Sequence, residues 1–251
     1  MADTLTATYA LRLGDDALIL SHRLSEWVGH GPELEEDIAL ANTALDLLGQ
    51  ARMLLSHAGE CEGRDRDEDA LAYGRDVMDF SNLLLVEQPN GDFAQTMMRQ
   101  FLFDAYAVEL WPRLSASHDE ILAGIAGKAA KEATYHVEQS AAWVVRMGDG
   151  TEESHARIQA GLDLLWPYAS EMFEADEVEV TLAEKGIAVA SSDMQVPWQT
   201  RVEAVLEDAG LAPPQGAGLR TGGRQGRHSE HLGHLLAAFQ FLQRAYPGAE
   251  W

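Results

Sequence analysis

The residues of this sequence that could do chemistry are a set of carboxylates placed at metal-site spacing within apolar, helix-like runs. Asp46 and Gly49 stand three apart in one run, Glu132 and Tyr135 three apart in another, and Glu26 and Asp104 are single carboxylates in two more. Di-iron carboxylate bundles place a Glu-x-x-His pair on each of two helices and a lone Glu on each of two others. Here both pairs keep the spacing and both lack the imidazole. Glycine has no donor atom, and His136 arrives four residues after Glu132 rather than three. The same residues also fit ordinary helix-surface pairing: Asp46 with Gln50 or Arg52, Glu26 with Arg23, and Glu132 with His136 as an i,i+4 hydrogen-bonded pair. Four carboxylates without either histidine match a di-iron site poorly.

The elements that position these residues read as helices. Gly29, Gly31 and Pro32, followed by Glu33, Glu35, Glu36 and Asp37, break one helix and start another, expected to run from Leu34 to His57. Along it Leu34, Ile38, Ala41, Leu45 and Leu48 form one apolar row and Leu40, Ala44, Leu47, Ala51 and Leu54 a second, which predicts a helix wrapped by neighbours on most sides. A third line, Ala39, Asn42, Asp46, Gly49 and Met53, could face the core. Asp15 and Asp16 read as the start of the preceding helix, ALILSHRLSEW.

GECEGRDRDEDA reads as an exposed loop, after which a helix carries LAYGRDVMDFSNLLLVEQ from near Asp67 to the stop at Pro89-Asn90-Gly91. A further helix holds Phe93 to Trp111 and ends or kinks at Pro112. A long one from Asp119 to Met147, about 40 Å at the usual rise, stops at Gly148-Asp149-Gly150. Residues 151–184 are helical with a kink at Trp166-Pro167, and EVEVTL, the one strand-like fragment, reads as a helix end. A shorter helix spans Met194 to Glu207, and Ser229 caps a last helix before Pro247. The expected architecture is a single all-α domain over residues 1–251.

A formal net charge of -23, from 18 basic and 41 acidic residues, argues against nucleic acid and anionic membrane as partners. Cys61 is the only cysteine, so the chain has no internal disulfide and no cysteine-held metal centre. No basic leader followed by an apolar stretch precedes the first helix, and a cytoplasmic location is expected. Residues 213–227 are glycine-rich and carry Arg220, Arg224 and Arg227. They could grip a phosphorylated ligand such as coenzyme A or a partner's acidic face, or form a plain surface loop. His228, His231 and His234 recur every three residues without a cysteine or convergent carboxylate to complete a metal site.

Several stretches together resemble one family. LSEWVGHGPELEEDIALANTALDLLGQARMLL, NLLLVEQPNGDFA, KEATYH, and RTGG followed by HSEHLG are similar to the C subunit of ring 1,2-phenylacetyl-CoA epoxidase, a bacterial multicomponent oxygenase, over nearly the whole chain. The resemblance implies a ferritin-like helical bundle with additional C-terminal helices and a non-catalytic scaffold role. It implies a homologous catalytic A subunit as partner, which carries the di-iron centre, together with the other epoxidase subunits. Electrons come from NADPH through a separate reductase subunit. This chain is then expected to hold no catalytic residue, cofactor or metal of its own, with Glu26, Asp46, Gly49, Asp104, Glu132, Tyr135 and His136 as vestiges of a site. The rival expectations are an independent di-iron oxidase or hydroxylase and a regulatory subunit that binds a coenzyme A ester through Arg220, Arg224 and Arg227.

Overall fold

The computed structural model describes residues 3–216 and 218–249, and all regular structure among them is helical. The chain divides into two compact units, residues 1–88 with 222–251, and residues 89–221.

The first unit is built on an antiparallel hairpin of α1 (Thr4–Ser25) and α2 (Leu34–Glu62). Asp3 caps α1 by accepting from the Thr6 amide. The helix therefore starts eleven residues before Asp15, and the expected start at Asp15-Asp16 is wrong: both aspartates lie buried in its middle. The two helices approach closely at Gly14, where a Cβ would stand 2.9 Å from Leu55 Cδ2. Ser21 Oγ donates to the Ala44 carbonyl at 2.8 Å across the same seam.

Of the two apolar rows on α2, only one is covered. Leu40, Ala44, Leu47, Ala51 and Leu54 form the buried face, whereas Leu34, Ile38, Leu45 and Leu48 are 71%, 52%, 64% and 43% exposed. The expectation of a helix wrapped on most sides is thus corrected. The third line lies at the boundary between these faces: Asp46 and Gly49 are half-buried and Asn42 is exposed. The helix passes its expected end at His57 and continues to Glu62, where Gly63 takes the left-handed conformation that closes it.

α3 (Glu68–Tyr73) is short, and the helix expected from Asp67 to Gln88 does not continue through it. A 3-10 turn at Val77–Asp79 and extended backbone lead to the single turn of α4 (Leu84–Glu87). The reason lies in α1. The Ser81 amide donates to Asp15 Oδ2 at 2.9 Å and the Leu83 amide to Asp16 Oδ1 at 2.7 Å, so these backbone groups are satisfied by buried carboxylates instead of by a helical ladder.

The second unit opens with the antiparallel pair α5 (Phe93–Leu114) and α6 (Glu120–Gly148), Asp92 and Asp119 capping their starts. Pro112 sits inside the last turn of α5 rather than ending it. α7 (Glu152–Leu165) packs against α5, where Gly161 leaves room for the Gln95 backbone. A 3-10 segment begins at Trp166-Pro167, and EVEVTL lies in α8 (Glu177–Glu184). α9 (Ser192–Asp208) buries Trp198, whose indole N–H donates to the Leu102 carbonyl at 3.0 Å and whose ring meets Trp166 and Phe173.

α10 (Glu230–Phe239) and α11 (Phe241–Ala245) return the chain to the first unit. Ser229 holds the N-cap position of α10 without a side-chain cap bond; its amide donates instead to Glu87 Oε1 at 2.6 Å.

Candidate functional site

In the first unit Glu26 is solvent-exposed and accepts from Arg23 Nη1 at 3.0 Å. Asp46 and Gly49, one turn apart on α2, are half-buried at the edge of the helix. In the second unit Asp104 is fully enclosed between α5 and α6. It accepts from Gln100 Nε2 at 2.7 Å and from Ser140 Oγ at 2.8 Å. Burial pushes its pKa up to about 6, against the opposing pull of nearby His136 and of these two hydrogen bonds.

Glu132 reaches back to Lys128 Nζ at 3.2 Å, and His136 is buried on the face toward α5. Tyr135 points away, 73% exposed. The position that a Glu-x-x-His pattern reserves for a ligand therefore faces solvent. Among the described residues no group of three or more His, Cys, Asp and Glu side chains is arranged to hold a metal ion. With Gly49 offering no donor, the residues present do not fit a di-iron centre.

A denser polar cluster lies in the first unit. Asp15 pairs with the guanidinium of Arg75, which also lies 4.1 Å over the Phe80 ring. Asp16 takes two bonds from Arg224, at 2.7 and 3.0 Å, and Arg224 also donates to the Ser81 carbonyl at 2.8 Å and the Arg12 carbonyl at 3.2 Å. Burial raises Asp16 to about 6 despite Arg224 beside it. Glu87 is wholly buried and accepts from Asn82 Nδ2 at 3.0 Å and His228 Nδ1 at 2.7 Å, while His228 Nε2 meets the Phe80 carbonyl at 2.9 Å. Burial opposes charge on His228, but Glu87 and the Phe80 carbonyl outweigh it and hold the pKa above the ordinary imidazole value.

This cluster settles where the predicted arginines stand. Arg224 lies inside an ion pair and is mostly buried, so its guanidinium does not reach outward for a phosphate. Arg220 is exposed and lies 5.7 Å over the Tyr168 ring; Arg227 is exposed beside Gly222. His228 faces Glu87, not the two later histidines. The Gly222-Gly223 step exists for close approach, since a Cβ on Gly223 would lie 2.1 Å from the Asn82 carbonyl oxygen. Asp15, Asp16, Glu87 and Arg75 were not singled out as site residues by spacing. The one signal in the sequence was the Asp-Asp pair embedded in the apolar run ALRLGDDALIL.

No helix among the described residues is long and apolar enough to cross a membrane. Residues 2–251 match the family model described as phenylacetic acid catabolic protein. The C subunit of 1,2-phenylacetyl-CoA epoxidase from Escherichia coli (strain K12) is 52% identical over 243 residues, covering 97% of this chain and 98% of that one. With a helical architecture of the expected ferritin-like class and a match over nearly its whole length, this chain belongs to the phenylacetic acid catabolic protein family.

Proposed function

We propose that this chain is the non-catalytic structural subunit of a bacterial 1,2-phenylacetyl-CoA epoxidase in aerobic phenylacetate degradation, working in the cytoplasm. It packs against a homologous A subunit that carries the di-iron centre and receives electrons from NADPH through a separate reductase subunit. The observation that carries this reading is the fate of the two half-sites. One histidine slot holds Gly49 and the other Tyr135, whose ring stands in solvent. Of the candidate carboxylates Glu26, Asp46, Asp104 and Glu132, the one that is buried, Asp104, already receives hydrogen bonds from Gln100 and Ser140, the second of which ties α5 to α6.

The independent-oxidase reading needs a convergent ligand set, which the geometry does not favour; the coenzyme A reading loses Arg224 to its ion pair with Asp16 and keeps only the exposed Arg220 and Arg227. The test is the iron content of the chain expressed alone in iron-replete medium and purified without a histidine tag. Iron well below one atom per chain is expected. About two irons per chain, the complement of a di-iron bundle, would overturn the reading.

A further inference from the structure

The exposed row on α2 has a spacing that ordinary surface leucines lack. Leu34, Ile38, Ala41, Leu45 and Leu48 follow one another at intervals of four, three, four and three. That is the a/d repeat of a helix seam, sustained over two heptads and about 21 Å of helix. A helix needing only a buried face has it already in Leu40, Ala44, Leu47, Ala51 and Leu54. The second row is therefore surplus to the packing of this chain, and contiguous exposed apolar surface of this kind marks an interaction site. Ala41 within the row and Gly49 beside it, both half-buried, carry the smallest side chains along this stretch.

The geometry points to a seam on α2 that docks one amphipathic helix of another helical subunit, with apolar a and d residues facing Ile38, Leu45 and Leu48 and basic residues opposite the first turn. This inference rests on the structural-subunit reading and names the face it uses. The charge pattern selects the occupant. Glu35 and Glu36 crowd the start of the helix beside Asp37, whose carboxylate accepts from the Gly29 and Gly31 amides at 2.8 and 3.0 Å. The cation next in line, Arg52, is bonded to Glu68 at 3.1 Å. A second copy of this chain, with a formal net charge of -23, would bring acid toward acid when the same face meets itself. A basic-edged helix from a different subunit meets both demands.

The test co-expresses the full chain with its cognate catalytic subunit and measures their affinity for wild type, Leu45→Glu, Ile38→Glu and the control Leu164→Glu, which changes an exposed leucine on α7. Burying an unpaired carboxylate in the seam is expected to weaken binding about a hundredfold in each α2 variant, with thermal melting unchanged and the control binding as wild type. Wild-type affinity in both α2 variants overturns the seam while leaving the structural role intact. A wild-type chain that binds no catalytic subunit removes the structural-subunit reading and, with it, this occupant. Dimerisation of the isolated chain that Leu45→Glu abolishes would assign the seam to a second copy and overturn the inference as well.

Discussion

α2 and α6 are the same length, 29 residues, and each is the second arm of an antiparallel hairpin. Their outer faces differ. α6 shows solvent Lys128, Lys131, Tyr135 and Glu138, with Ile121 its one large exposed aliphatic side chain, while α2 shows Leu34, Ile38, Leu45 and Leu48. Their inner seams differ too. The partner of α6 supplies one enclosed carboxylate, Asp104, satisfied within its own hairpin by Gln100 and Ser140. The partner of α2 supplies Asp15 and Asp16, satisfied by arginines 60 and 208 residues away in the chain. The difference teaches that one hairpin satisfies its enclosed carboxylate from its own two helices, whereas the other depends on arginines far along the chain for its buried acids.

The largest effect that could break this comparison is at Arg224. Replacing it with Ala leaves Asp16 buried without its cation, and loss of one member of a buried pair costs about 3 to 5 kcal/mol. Urea denaturation of Arg224→Ala should show that loss; a change below about 1 kcal/mol would mean that the first unit does not depend on its distant partner.

A smaller, pH-dependent effect belongs to Asp104. Its folded pKa of about 6 lies above the ordinary 3.8, so the native state binds the proton more tightly than the unfolded chain. Stability from this group therefore grows as pH falls through 6 toward 4 and is absent above 6. The gain is on the order of 3 kcal/mol. In Asp104→Asn the gain should vanish, so the stability difference between wild type and variant should move by that amount between pH 7 and pH 4. A difference independent of pH would remove the buried charge from the account of the second hairpin.

The smallest effects sharpen the contrast of the outer faces. Tyr135→Gln and Leu45→Gln should each change the stability of the isolated chain by less than about 0.5 kcal/mol, because both side chains stand in water. Thermal melting of the isolated variants checks this, and a large loss for Leu45→Gln would show that α2 is covered within the chain itself.

Helix existence was legible from apolar periodicity, and so were the start of α2 after Pro32, the 3-10 break at Trp166-Pro167 and the whole of α6. Two misreadings share one cause. Asp15-Asp16 looked like a helix start because an acid in sequence carries no sign of its partner, and the stretch from Gly74 to Leu83 looked helical because its periodicity is apolar. In the structure they explain each other: the aspartates stay inside α1 because they accept the amides of Ser81 and Leu83, and those amides leave the helix because the aspartates are there. The candidate metal-site residues were legible as residue types, but spacing alone did not reveal that Tyr135 faces outward while His136 is buried near Asp104. The exposed row of α2 was legible as a repeat. A repeat does not say on which side of it the rest of the chain lies.

The discontinuity of the first unit sets an order of events during synthesis. Asp16 and Glu87 leave the ribosome early, while Arg224 and His228, which answer them, come only after the whole second unit has been made. At ordinary translation speeds that is a wait on the order of ten seconds, during which the N-terminal hairpin carries uncompensated buried acids and an uncovered leucine row. The second unit, contiguous in the chain, has no such wait. A newborn chain is thus most exposed to proteases and to wrong partners at its N-terminal end, until the segment that carries Arg224 and His228 arrives to pair those acids.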